Sequence, residues 1–76
     1  MVTAYVLITS KSGEERIVLD ALQKLEEIKE AKIVYGEYDI VAKIQVEDVG
    51  KLNDFLLEKV RPIKSIEKTS TLIVAA

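Results

Sequence analysis

Apolar residues alternate with period two from the start of the chain. Val2, Ala4, Val6 and Ile8 fall on one side and Thr3, Tyr5, Leu7 and Thr9 on the other, which predicts a β-strand over 2–9. The period then changes. Ile17, Val18, Ala21, Leu22 and Leu25 recur at helical spacing, with Arg16, Asp20, Lys24 and Glu27 on other faces. Ser12, with Glu15 three residues on, is placed to form a capping box at the start of this helix. Ala31 to Tyr35 is a second strand-like run. Gly36-Glu37-Tyr38-Asp39 interrupts it, and Tyr38 to Val46 resumes as a strand with Ile40, Ala42, Ile44 and Val46 on one face. Two such runs broken on a glycine predict a hairpin. Asp48 then stands where a second helix needs its cap, and Val49, Leu52, Phe55, Leu56 and Val60 form that helix's apolar stripe. Pro62 prevents it from continuing. Ile66 to Ala75 is the closing strand.

The order is β-α-β-β-α-β, the split pattern of a ferredoxin-like α+β fold. Both helices are then expected on one face of a four-stranded antiparallel sheet, in a single domain over residues 1–76. No helix is left for the other face. By alternation that face should carry Tyr5, Leu7, Val34, Val41, Thr71 and Ile73. A contiguous apolar patch of this kind usually marks an interface. Two sheets packed face to face in a homodimer are expected, with Tyr5, Leu7, Val34, Val41 and Ile73 in the contact. The other reading is a mildly apolar, exposed sheet in a monomer.

Size favours assembly. A chain of 76 residues buries only about 60% of its unfolded surface, so small folds add disulfides, a metal or partners. With no Cys there is no disulfide, and with no His the usual zinc constellations are missing. Oligomerisation remains. The formal net charge is −2 with both signs mixed along the chain, whereas nucleic-acid binding needs a clustered basic face. No basic segment precedes an apolar signal-like core, and no apolar run approaches a membrane span, so a cytoplasmic location is expected. High charge with one Asn, two Gln and no Cys fits a thermophile's composition.

Catalytic chemistry has little to work with. There is no His for general base work and no Cys nucleophile, and the serines lack a nucleophile-elbow motif. The three glycines, at 13, 36 and 50, are isolated and form no phosphate loop. No catalytic residue, metal or cofactor is expected. The Gly36–Asp39 turn is the first candidate for a ligand site, because a carboxylate beside a phenol and a flexible glycine can hold an ammonium group. Asp is also favoured in turns by local hydrogen bonding, and both readings of Asp39 stand at this point.

Laid out in this way, the chain resembles the effector-binding (RAM) domain of the Lrp/AsnC, or feast/famine, transcription regulators. The resemblance rests on the strand order, on Val34-Tyr35-Gly36-Glu37-Tyr38-Asp39 and on Thr69-Ser70-Thr71 in the closing strand. It implies a fold of the dimeric α/β-barrel type, and a homodimer that assembles into a ring, an octamer or a decamer. It implies a free amino acid bound at contacts between dimers, by Gly36, Tyr38 and Asp39 in the turn and by Thr69, Ser70 and Thr71 on the last strand. Asp39 would take the α-ammonium; the Thr69 and Thr71 hydroxyls, with backbone N–H near Gly36, would donate to the α-carboxylate. Ser70 alternates to the opposite face from the two threonines. Full-length members carry a helix-turn-helix domain before this module, whereas here Met1 leads straight into the first strand. The stand-alone form of the domain is therefore expected, without direct DNA binding, acting through mixed assembly with full-length regulators or by delivering an effector to them.

Each of these residues has a plainer reading. Thr69 and Thr71 are good strand formers. Tyr35 and Tyr38 suit an interface or core. Glu26, Glu27, Lys29, Glu30 and Lys32 read as a solvated helix end, and Lys59 and Arg61 as cations favoured at a helix C-terminus. Two other function classes fit the same pattern: a small cofactor-independent enzyme of the dimeric α/β-barrel group, and a purely structural oligomerisation module.

Overall fold

A computed structural model describes residues 1–76. Strand β1 spans Val2–Ser10, helix α1 Glu15–Gln23, β2 Ile28–Ile33, β3 Ile40–Val46, α2 Val49–Phe55 and β4 Ile66–Ile73. Residues Leu56–Val60 extend α2 as a π turn. The sheet is fully antiparallel in the order β2-β3-β1-β4, so the first strand made is central and the last forms an edge. This is the expected βαββαβ architecture.

The register shows why period two reads so clearly in β1 and β3. Ile8 pairs with Ile40, Val6 with Ala42, Ala4 with Ile44 and Val2 with Val46. Directly paired residues share a face, and these point toward the helices. Ala4, Val6, Ile8, Ile40, Ala42 and Ile44 are almost completely buried, together with Val18 and Leu22 from α1, Leu52 and Phe55 from α2, and Val60 from the π turn. Fully burying one such Val, Ile, Leu or Phe side chain contributes about 1.5–3 kcal/mol. Leu19, absent from the predicted stripe, is buried in α1, whereas Ile17 and Val49 face solvent.

The helix ends differ in mechanism. Asp48 caps α2 as expected: it is extended (φ −153°, ψ 174°), and its carboxylate accepts the Lys51 N–H at 2.8 Å. The Ser12–Glu15 capping box does not form. Glu14 occupies the N-cap of α1 without a side-chain cap, and Glu15 Oε1 turns back to accept the Gly13 N–H at 3.0 Å. The π turn closes with Arg61 N–H on the Leu56 carbonyl at 2.9 Å, and Pro62 supplies no N–H to carry it further.

Two strands depart from expectation. β2 lies earlier than the Ala31–Tyr35 run, because Ile28 reaches the helix side opposite Ile44 and the pairing includes the charged Glu30 and Lys32. It is an edge strand, where charge is tolerated and discourages unwanted pairing. Glu30 and Lys32 form an exposed ion pair of 3.1 Å.

In β4, the placement of Thr71 and Ile73 on the open face is corrected. Thr9 pairs with Lys68 but Ser10 with Ile66, so Glu67 is an extra, bulged residue. The bulge reverses the alternation, and Ile66 and Ile73 both lie on the helix side. Thr71 pairs with Val6 and Thr69 with Ile8, on that same side, whereas Ser70 opposite Leu7 and Leu72 opposite Tyr5 belong to the open face. The open face therefore carries Tyr5, Leu7, Val34, Val41 and Leu72, bordered by Glu30, Lys32 and Lys43.

Candidate functional site

Asp39 is the anchored part of the Gly36–Asp39 turn. Its N–H donates to the Ile8 carbonyl at 2.9 Å, and its own carbonyl accepts the Val34 N–H at 2.8 Å. Its Oδ2 accepts the Ser10 backbone N–H at 2.9 Å and, more distantly, the Ser10 hydroxyl at 3.4 Å. One carboxylate oxygen thus ties the β2–β3 hairpin to the end of β1, and Oδ1 makes no hydrogen bond within the chain. The local turn reading of Asp39 was too small, because this carboxylate bonds a strand 29 residues away in sequence.

The rest of the turn is uncovered. Tyr35, Gly36 and Glu37 are exposed, Tyr35 fully so, and Tyr38 is half-buried. Gly36 has φ +143°, a conformation that L side chains rarely adopt, although a Cβ there would meet no atom within 4 Å. Backbone conformation and not crowding requires glycine at this point.

Thr69, Ser70 and Thr71 are half-buried on the edge strand. Thr69 and Ile40 flank Ile8 in one row, two strand spacings or about 10 Å apart. Turn and threonines thus lie on opposite sides of β1 and do not converge into one pocket within the chain. Thr69 lines a hollow of about 420 Å³ with Arg61, Ile66, Glu67 and Lys68. No hollow includes Gly36, Tyr38 or Asp39. A second, of about 330 Å³, lies near Glu27, Gln45 and Lys51, and a shallow one of about 100 Å³ lies on the open face against Tyr5 and Val41.

Sequence reasoning missed the polar network behind the turn. Ser10 and Ser65 are the two buried polar residues. The Ser10 hydroxyl lies between Asp39 Oδ2 and Glu15 Oε1, and the Ser65 hydroxyl donates to Glu14 Oε1 at 2.5 Å. Lys11 N–H donates to the Ser65 carbonyl at 2.8 Å. The β1–α1 loop is thereby held from both sides. A signal for this was legible: Ser10 continues the inward parity of Val2 to Ile8, and a buried hydroxyl needs a partner.

A separate correction concerns Lys59. Its ammonium reaches Glu27 Oε2 at 3.1 Å, so Lys59 is more than a helix-end cation and Glu27 more than a solvated carboxylate. The nearness of its own backbone N–H, more than any other cause, holds the Glu27 carboxyl below its ordinary range. Burial opposes this, and Lys59 and Lys29 add to the lowering.

No helix is long and apolar enough to cross a membrane. Residues 3–76 match the family model of the Lrp/AsnC ligand binding domain. The transcriptional regulator FL11 of Pyrococcus furiosus is 38% identical over 73 residues, which are 96% of this chain and 48% of FL11. The chain spans about half the length of the curated relatives it matches. The hypothetical protein PHS023 of Pyrococcus horikoshii is 41% identical with a TM-score of 0.94, over 100% of this chain and 92% of its own. AsnC of E. coli is 32% identical with a TM-score of 0.94, over 99% of this chain and 51% of its own. At the level of fold alone, the Neisseria meningitidis transcriptional regulator NMB0573, solved as an L-Met complex, has a TM-score of 0.89 at 14% identity, over 99% of this chain and 50% of its own. Strand order, turn and family match agree, and the chain belongs to the Lrp/AsnC ligand binding domain family.

Proposed function

We propose that this domain senses a free amino acid and reports it by changing how its subunits assemble. The observation that carries the reading is the division of labour in the β2–β3 turn. Asp39 is fastened to β1 through Oδ2, whereas Gly36 and Glu37 project with little of their own chain against them. A rigid base under an uncovered tip is suited to a site completed by another subunit. Asp39 Oδ1 takes the α-ammonium, and N–H groups of the tip with hydroxyls from the Thr69–Thr71 segment of a neighbouring chain take the α-carboxylate. The L-Met complex of a regulator with this fold supports the ligand class.

The open sheet face supplies the dimer contact through Tyr5, Leu7, Val34, Val41 and Leu72, and dimers join into a ring, an octamer or a decamer. A ligand bound between dimers stabilises the assembly that contains its complete site. The module is non-catalytic and acts in the cytoplasm. It affects transcription through full-length Lrp/AsnC regulators, by mixed assembly and not by binding DNA itself.

Calorimetric titration of the purified oligomer with each standard amino acid tests this. Asp39→Asn is the informative variant, because its side-chain oxygen can still accept from Ser10 while the charge is gone. Saturable heat from a few amino acids, lost in Asp39→Asn and in Tyr38→Ala, is expected. A ring indifferent to all of them would leave a structural assembly module, and turnover of any added compound would make it an enzyme.

A further inference from the structure

Two buried serines sit in the same acidic network, and they are bonded differently. Ser65 is committed: its hydroxyl donates to Glu14 Oε1 at 2.5 Å. Ser10 is not. Its hydroxyl lies 3.4 Å from Asp39 Oδ2 and 3.5 Å from Glu15 Oε1, both beyond the ordinary O–H···O range of about 2.5–3.0 Å. A hydroxyl carries one proton, so only one of these carboxylates can hold it closely at a time. The two acceptors are otherwise matched. Asp39 Oδ2 accepts the Ser10 backbone N–H at 2.9 Å, and Glu15 Oε1 accepts the Gly13 N–H at 3.0 Å. None of the chain's ion pairs reaches Glu14, Glu15 or Asp39. The direction of one O–H bond therefore depends on which carboxylate pulls harder.

The three groups belong to different elements. Ser10 ends β1, Asp39 closes the β2–β3 turn and Glu15 opens α1. Beyond Glu15, the β1–α1 loop is tied to the approach to β4. Lys11 N–H donates to the Ser65 carbonyl at 2.8 Å, beside the bond from Ser65 to Glu14. Ile66, the next residue, is the first of β4. A continuous polar path thus runs from the turn, through Ser10, to the strand that carries Thr69, Ser70 and Thr71.

We infer that Ser10 is a positioning residue that couples the turn to β4 by rotating its hydroxyl between Asp39 and Glu15. A cation on Asp39 Oδ1 weakens the pull of that carboxylate, and the O–H turns to Glu15. Glu15 Oε1 then accepts from Ser10 as well as from Gly13, and the Gly13 bond slackens. That the cation is an ammonium group rests on the reading of the turn as an amino-acid site; the rotation itself needs only a loss of charge at Asp39. In that reading each chain gives its turn to one intersubunit site and its Thr69–Thr71 segment to another. Filling one site is then felt at the other through Ser10.

A double-mutant cycle read by amide-resolved NMR of the full 76-residue chain tests the coupling. Asp39→Asn removes the charge at the turn with no ligand added, and should shift the Gly13 and Ser65 amide signals. In the Ser10→Ala background the same substitution should shift them at least about threefold less, because Ala keeps the backbone N–H on residue 39 and lacks only the hydroxyl. Ser10→Thr, which returns a hydroxyl, should restore the response. Ser10→Cys, a weaker donor, should give an intermediate shift, and it serves the cycle if Ser10→Ala does not fold. Equal shifts with and without the hydroxyl overturn the inference, as does an Asp39→Asn chain whose Gly13 signal stays at its parental position. The standard amino acids separate coupling from sensing. One that binds both chains but moves Gly13 only in the parent, and not in Ser10→Ala, supports the two together; one that moves Gly13 equally in both overturns the coupling. A chain that passes the cycle and binds none of them keeps the coupling and loses the sensor.

Discussion

Asp39 concentrates the argument at the scale of the residue. Its carboxylate is structural through one oxygen and available through the other, so two substitutions separate the roles. Asp39→Ala leaves the Ser10 N–H without an acceptor in a partly buried place, and should cost about 1–3 kcal/mol in urea unfolding. Asp39→Asn retains an acceptor and should cost less than half as much, while removing the charge that the proposed ligand needs. Equal stability of Asp39→Ala and the parent would mean that the Ser10 contact is replaced by water. The sequence made Asp39 visible as a turn residue beside glycine, but not its partner. Hydrogen bonds between residues distant in sequence depend on which strands become neighbours, and no local pattern encodes that. Ser10 is the exception, because its inward parity declared a buried hydroxyl in advance.

Elements were legible where one face is buried and the alternation is unbroken. β1 and β3 fit that description, and their paired apolar sets match residue for residue. β4 did not, because its bulge puts Ile66 and Ile73 on one face although regular alternation would separate them. β2 was displaced because an edge strand accepts charge that a central one would not. The contact between Lys59 and Glu27 joins the π turn to the α1–β2 connection, and it has a pH signature. The carboxyl is held below its ordinary value of 4.5, so its contribution to stability is complete above that pH and fades as pH falls through the lowered value. Glu27→Gln should therefore cost stability at neutral pH, about 0.2–1 kcal/mol for a partly exposed pair. The gap to the parent should close in acid. A gap that widened as the pH fell would contradict this sign.

Assembly belongs to the whole molecule. The register assigns Leu72, not Ile73, to the uncovered face beside Tyr5, which puts two neighbouring apolar residues on opposite faces. If the proposed face-to-face dimer forms, Leu72→Lys should shift the sedimenting species toward smaller assemblies, whereas Ile73→Lys should not. The reverse result would mean that the dimer uses the other side of β4. The fold class was readable from element order alone, but a site shared between chains is not, because one sequence does not reveal which surfaces meet. The central position of β1 has a further consequence for how the chain is made. Ala4 leaves the ribosome nearly seventy residues before its β4 partner, Ile73. Until β4 is made, the central strand β1 keeps at least one hydrogen-bonding edge open. Nascent chains of this domain are thus prone to cross-pairing until β4 has emerged, and a truncation that removes β4 should be far less soluble than its short length suggests.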